Sequence, residues 1–217
     1  MLKILACFML PGEWLTDDLP LLPFDTYRKR LEDNPSSIGY GKTSPNYGKT
    51  YYQEDIFMGY RYFDKAKLAP LFPFGHGLSY TTFAFSDLRV IKDGAGPLMP
   101  VKQGDIETVK FAVSFKVKNT GSVPGKEVAQ VYIRDIESSL ARPEKELKAF
   151  RKVALDCGDE KEVTLELDRD AFKYWDNNRD WWVAEKGTFE ILVGSSSADT
   201  PLKATVELGQ TFHWRGL

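Results

Sequence analysis

From Thr108 to Lys118 the apolar residues Val109, Phe111, Val113, Phe115 and Val117 fall on one side of an extended chain, and Lys110, Ser114, Lys116 and Lys118 fall on the other. A period of two sustained over that length predicts a strand with one face in a core and one in water. Asn119-Thr120-Gly121 ends it, and Glu127 to Arg134 predicts the next strand. Val163, Leu165 and Leu167 alternate with Glu162, Thr164 and Glu166. Phe189, Ile191 and Val193, then Leu202, Ala204, Val206 and Leu208, repeat the pattern. At least six strands at short intervals, with Gly, Asn and Asp between them, predict an all-β antiparallel sandwich beginning near Thr82.

That strand spacing suits an immunoglobulin-like or fibronectin type III-like sandwich. The chain ahead of it is an irregular N-terminal extension. Residues 1–27 keep no period, and the tract from Arg28 through Thr50 is polar and turn-forming. Between Tyr51 and Asp64, Ile56, Met58, Tyr60 and Tyr62 alternate with Phe57, Gly59, Arg61 and Phe63. A run apolar on nearly both faces predicts a strand covered on both sides. The ordered mixture Pro70-Leu71-Phe72-Pro73-Phe74-Gly75-His76-Gly77-Leu78-Ser79-Tyr80-Thr81-Thr82-Phe83 marks the junction between the two regimes.

Composition narrows the function more than the fold. With 29 basic and 31 acidic residues in 217, the net charge is −2, so no field favours nucleic acid or an anionic membrane. No apolar run approaches the roughly 20 residues of a membrane-spanning helix. Lys3 followed by Ile4 to Leu10 is short for a signal sequence and is read as non-signal. Cys7 and Cys157 are too few for a disulfide framework, and no His, Cys, Asp or Glu grouping has metal-ligand spacing. No glycine-rich phosphate cradle opens a helix, so no cofactor is expected. His76 and His213 are the only histidines; His76, between two glycines, is read as a loop residue bonded to neighbouring backbone rather than as a catalyst.

The aromatic load is the stronger clue, with 14 Phe, 10 Tyr and 5 Trp. Ala171 to Trp182 predicts two strand ends joined by a polar turn. Tyr174, Trp175, Trp181 and Trp182 are the candidate carbohydrate contacts, provided their rings are exposed and coplanar. The competing reading places Phe172, Trp175 and one of Trp181 and Trp182 as plugs in the end of the core, since large aromatics are mostly buried.

The junction motif, Arg142-Pro143-Glu144-Lys145-Glu146-Leu147-Lys148-Ala149-Phe150 and Lys186-Gly187-Thr188-Phe189-Glu190-Ile191-Leu192-Val193-Gly194 together resemble the C-terminal part of glycoside hydrolase family 3, the β-glucosidases in particular. Lys29 to Ser36 and Gly59 to Asp64 extend the resemblance from about Arg28 to about Gly209. It implies that residues 28–82 are the tail of an α/β sandwich domain with its linker, and that residues 83–217 are a fibronectin type III-like domain. Residues 1–27 do not match, which a truncated or frame-disturbed gene would explain.

The resemblance also implies an aspartate nucleophile on a barrel and an acid/base on the α/β domain, neither of which this stretch supplies. Ser86-Asp87 superficially matches the nucleophile's surroundings, but Leu88 stands where Trp is expected, so no catalytic residue is assigned. The implied ligand is a β-glucoside or oligosaccharide, in the context of the full-length enzyme alone. Residues 51–74 carry apolar side chains suited to a protein partner or to self-association. The alternative to a supporting piece of a glucosidase is a free-standing module that binds carbohydrate or protein.

Overall fold

The computed structural model describes residues 55–92 and 110–215, and the chain divides between His76 and Gly77 into two compact units. The expected irregular segment 1–27, the polar tract to Thr50, Tyr51, Tyr52, Cys7 and Val109 lie outside the described residues.

In the first unit the strand expected over Tyr51–Asp64 is replaced, in its described part, by a turn and the helix α1 (Tyr60–Ala66). A short run apolar on both faces satisfies a buried strand and a buried helix equally well. Gly59 decides between them. Its backbone sits at φ 57° and ψ −131°, a conformation that glycine tolerates and residues with a Cβ do not, so extended chain does not continue from Met58 into Tyr60. Phe63 is the buried residue of α1, and the amide of Leu68 donates to its carbonyl at 3.0 Å beyond a left-handed Lys67. Tyr60 packs on Phe74 at 5.2 Å, and the ring of His76 rests against Phe72 at 5.4 Å. Ile56, Met58, Leu71 and Phe72 are exposed.

The second unit is the expected sandwich. Among the described residues its strands are β1 (Phe83–Lys92), β2 (Lys110–Asn119), β3 (Gly125–Asp135), β4 (Glu146–Leu155), β5 (Glu160–Asp168), β6 (Tyr174–Asp176), β7 (Trp181–Ala184), β8 (Gly187–Gly194), β9 (Leu202–Leu208) and β10 (Phe212–Trp214). One sheet has the order β1-β2-β5 and the opposing one β4-β3-β8-β9, while β10-β7-β6 form a third, small sheet. Every pairing is antiparallel.

The alternation read along the chain is the burial pattern. Phe111, Val113, Phe115 and Val117 on β2 join Val163, Leu165 and Leu167 on β5 in one buried cluster with Val131 and Ile133 on β3 and Phe189, Ile191 and Val193 on β8. At about 25 cal/mol per Å² of apolar area, this layer is the main stabilising term of the unit. Strand β3 is buried on its other side too, where Tyr132 donates its hydroxyl to Gln130 Oε1 at 2.6 Å and Gln130 Nε2 donates to the Ser195 carbonyl at 2.5 Å. That contact needs the turn after β8 to fold tightly back. A Cβ at Gly194 would lie 1.9 Å from the Asp199 carbonyl oxygen, so the last residue of β8 has to be glycine.

One buried amide ties one end of the sandwich together. Asn119 Oδ1 accepts from Thr81 Oγ1 at 2.6 Å and from the Gly121 amide at 3.0 Å. Its Nδ2 donates to the carbonyls of Val123 at 2.9 Å and Leu155 at 3.2 Å. The entry to β1, the β2–β3 turn and the end of β4 are thereby held at one point. Asn119→Ala should lower stability by about 3 kcal/mol, because it strands several polar groups that cost roughly 1–3 kcal/mol each when unpaired; the urea midpoint of the purified variant measures this.

Candidate functional site

The residues between β5 and β8 build the part of the molecule with the most chemical variety. Phe172 goes into the core, edge-on to Phe111 at 5.4 Å and to Phe189 at 5.1 Å. The expected plug is therefore correct for Phe172 and wrong for Trp175, which is 40% exposed. Ala184 and Phe212, both in the core cluster, occupy the inner end of that face of the small sheet, leaving Trp175 outside it. Trp181 and Trp182 are half-buried.

Register brings three indoles into a row: Trp175 pairs with Trp182 across β6–β7, and Trp182 pairs with Trp214 across β7–β10. Residues directly opposite on antiparallel strands share a face. Trp175 and Trp182 meet at 5.2 Å with planes 71° apart, so they are not the coplanar platform that sugar stacking over both rings requires. Cations lie over three of the indoles: Lys173 Nζ is 4.2 Å from the Trp182 centroid, Arg169 Cζ 5.1 Å from Trp214 and Arg215 Cζ 4.8 Å from Trp181. Such contacts favour the charged side chain over an aromatic face. Tyr174 and Trp181 belong to the opposite face of the small sheet.

Beside the indoles lies a dense ionic cluster. Arg142, whose side chain is 7% exposed, donates through Nη1 to Asp135 Oδ2 at 2.9 Å and to the Phe172 carbonyl at 3.3 Å. Its Nη2 reaches Glu146 Oε2 at 3.0 Å and the Lys173 carbonyl at 3.4 Å. Burial pushes the Asp135 carboxyl up, and the Arg142 guanidinium pulls it back only in part. Tyr174, its own hydroxyl pushed up by burial, donates to Glu185 Oε1 at 2.8 Å. The Ser139 amide donates to Glu185 Oε2 at 3.0 Å, and the Ser139 hydroxyl donates to Oε1. Burial acts to raise the Glu185 carboxyl, but the bonds from Ser139 and Tyr174, with the charge of Arg142, outweigh it and the net direction is down.

Asp87 is placed by a bulge in β1, at φ 55°, where it pairs with Lys116 at 2.9 Å. The lysine's hydrogen bond and charge hold its carboxyl below the usual range. The most enclosed charged residues were the ones sequence reasoning missed. Arg142 was read as part of a motif without a role, and Ser139, Glu185, Lys173 and Trp214 were not singled out. Only cross-strand register brings them together.

The fibronectin type III-like domain family matches residues 127–197. Over 187 residues the chain is 44% identical to thermostable beta-glucosidase B of Acetivibrio thermocellus, a match taking in 86% of this chain and 23% of that protein. Probable beta-glucosidase I of Neosartorya fischeri is 43% identical over 189 residues, which are 87% of this chain and 21% of that protein. The solved GH3 beta-glucosidase of Bifidobacterium adolescentis superposes with a TM-score of 0.69 at 37% identity, over 85% of this chain and 25% of that one. The chain belongs with the C-terminal part of the glycoside hydrolase family 3 β-glucosidases. Beta-glucosidase 3B of Thermotoga neapolitana in complex with glucose gives a TM-score of 0.73 at 37% identity, covering 88% of this chain and 25% of that structure. The chain thus spans between a fifth and a quarter of the length of these family 3 relatives.

Two outcomes follow from the cluster. Arg142→Met leaves two carboxylates facing each other without their shared cation and should cost about 3–5 kcal/mol in chemical denaturation; Arg142→Lys should recover little of it, because an ammonium does not span four acceptors in a planar fork. Glu185, with its folded pKa below the ordinary glutamate value of 4.5, adds stability above that pH and loses it as pH falls through the folded value. The stability gap between the parent chain and Glu185→Gln should be widest near neutrality and close on acidification below the carboxylate range, as read from denaturation midpoints along a pH series.

Proposed function

We propose that this chain acts as the non-catalytic supporting end of a family 3 β-glucosidase whose substrate is a β-glucoside or β-linked oligosaccharide. In this reading residues 83–217 are the fibronectin type III-like domain that stiffens its neighbour and helps shape the surroundings of the sugar site. Residues 28–82 are the tail of the adjoining α/β domain. The observation that carries the proposal is the 44% identity over 187 residues to a β-glucosidase of which the matched region is 23%.

The chemistry points the same way. Retaining hydrolysis of a β-glycoside takes two carboxyl groups about 5–5.5 Å apart, one as nucleophile and one as acid/base. Here Asp135 and Glu146 converge, but on one guanidinium that binds both, which holds them as counter-ions rather than leaving one to attack and one to shuttle a proton. An open depression of about 390 Å³, lined by Pro124, Gly125, Lys126, Ala154, Leu155, Asp156 and Lys161, holds a single carboxylate among its lining residues. In the first unit the exposed Ile56, Met58, Leu71 and Phe72 suit burial against the remainder of an α/β domain, where each, already about half covered, would gain roughly 1 kcal/mol on removal of the rest from water.

The purified chain should release no aryl alcohol from an aryl β-glucoside beyond the buffer rate. Turnover that disappears on mutating one of the chain's own carboxylates would overturn the proposal. Co-expressed with the Acetivibrio thermocellus enzyme cut back to remove its matching region, the chain should restore soluble, active β-glucosidase.

A further inference from the structure

We infer that Trp175 and the turn that follows it form a contact site for a neutral sugar chain, independently of the supporting role proposed above. Four observations carry it. Trp175 is 40% exposed and, among the described residues, Trp182 is the one ring set against it, at a steep 71°. An indole met edge-on by its neighbour keeps a face for a ligand, and the apolar C–H face of a pyranose is a flat partner of matching size.

The ring is held in place. Lys173 braces Trp182 from above and is itself fixed by Asp170 at 2.9 Å, so the partner that orients Trp175 does not have to be ordered on binding. The adjoining turn is equally preformed: Asp176 Oδ1 accepts from the Asn178 amide at 2.9 Å, the Arg179 amide donates to the Asp176 carbonyl at 3.2 Å, and Asp180 takes a left-handed φ of 53°. It displays the exposed side chains of Asn177, Asn178, Arg179 and Asp180 immediately after the indole. Towards vicinal hydroxyls the guanidinium donates, the carboxylate accepts and the amides do both.

The alternatives fit less well. The charges of the turn nearly cancel, with Asp176 and Asp180 against Arg179, and Lys173 is neutralised by Asp170, so no field selects an anionic ligand. Among the described residues the other indoles, Trp182, Trp181 and Trp214, each have a cation over the ring. One open indole offers far less area than the 1,200–2,000 Å² or so of a stable protein interface.

The test is a titration of the full chain, followed by the indole N–H resonances in NMR, with cellopentaose, with laminaripentaose and with a poly-glutamate peptide in separate runs. The expected result is a saturable shift of the Trp175 resonance with at least one of the two sugars, unmoved by the peptide. Trp175→Ala should weaken that binding by about tenfold or more, and Trp175→Phe should retain part of it, while Trp181→Ala leaves it as in the parent. No saturable shift with either sugar up to the limit of solubility, equal affinity in Trp175→Ala, or a stronger response to the peptide would each overturn the inference. Glucoside turnover does not enter the readout, so the supporting role stands or falls separately.

Discussion

The burial of Phe172 between Phe111 and Phe189 is the contact on which the chemistry of the second unit depends. Two edge-to-face aromatic contacts add about 0.5–1.5 kcal/mol each to the roughly 1.5–3 kcal/mol of removing the ring from water. They fix the point at which the chain leaves the core after β5. With Phe172 inside, its carbonyl and that of Lys173 lie where Arg142 Nη1 and Nη2 bind them. Lys173 then stands over Trp182, and Trp175 comes out into water. Each later feature of the hairpin inherits its position from that ring.

Buried donors and acceptors are costly to leave unpaired, and three interior side chains here meet that demand, whereas Asp135 Oδ1, Ser138 Oγ, Gln210 Nε2 and Trp214 Nε1 do not. Asn119 meets it with four bonds to three segments, and Gln130 meets it through Tyr132 and Ser195. Arg142 meets it by dividing its fork between two carboxylates and two carbonyls. Such an arrangement gives little net stability compared with apolar residues of the same shape, yet removing one partner is costly. In this sandwich its effect is positional: Asp135 ends β3, Glu146 begins β4, and both are tied to the segment entering β6. The exposed pair of Lys116 with Asp87 and Glu160 does much less, because water screens it.

The strands of the sandwich were legible because a sheet with one wet face leaves a period of two in the residues. Phe111 to Val117 and Val163 to Leu167 have that signature, and both are buried on alternate positions. Helix α1 was not legible as a helix, since a run apolar on both sides carries no period that separates 3.6 from two. The clue was the isolated Gly59, whose positive φ breaks an extended chain. The hairpin of β6 and β7 was legible from Tyr174-Trp175-Asp176 and the polar turn, but the row of indoles was not. Trp214 joins it from β10, through a pairing that no local pattern encodes. For the same reason Ser139 could not be linked in advance to Glu185 and Tyr174.

The acidic groups of the sandwich differ in how firmly their protons are placed. A reactive acid needs a group whose proton is loosely determined, poised between burial and a changing charge nearby. The enclosed carboxylates here do not share one setting: burial raises Asp135 by more than Arg142 restores, and it raises Glu127 as well. Glu185 is driven towards its ionised form by donors from Ser139 and Tyr174, and Asp135 and Glu146 share a cation that is itself bound to two backbone carbonyls. A displacement of Arg142 would loosen two carboxylates and two carbonyls together, so the segments that carry them are held as one. The same rigidity benefits Trp175, because a ring oriented by a braced neighbour loses little freedom when a ligand lies on it. Stiffness at Arg142 and availability at Trp175 are therefore two consequences of a single anchored segment, running from Phe172 to Asp176.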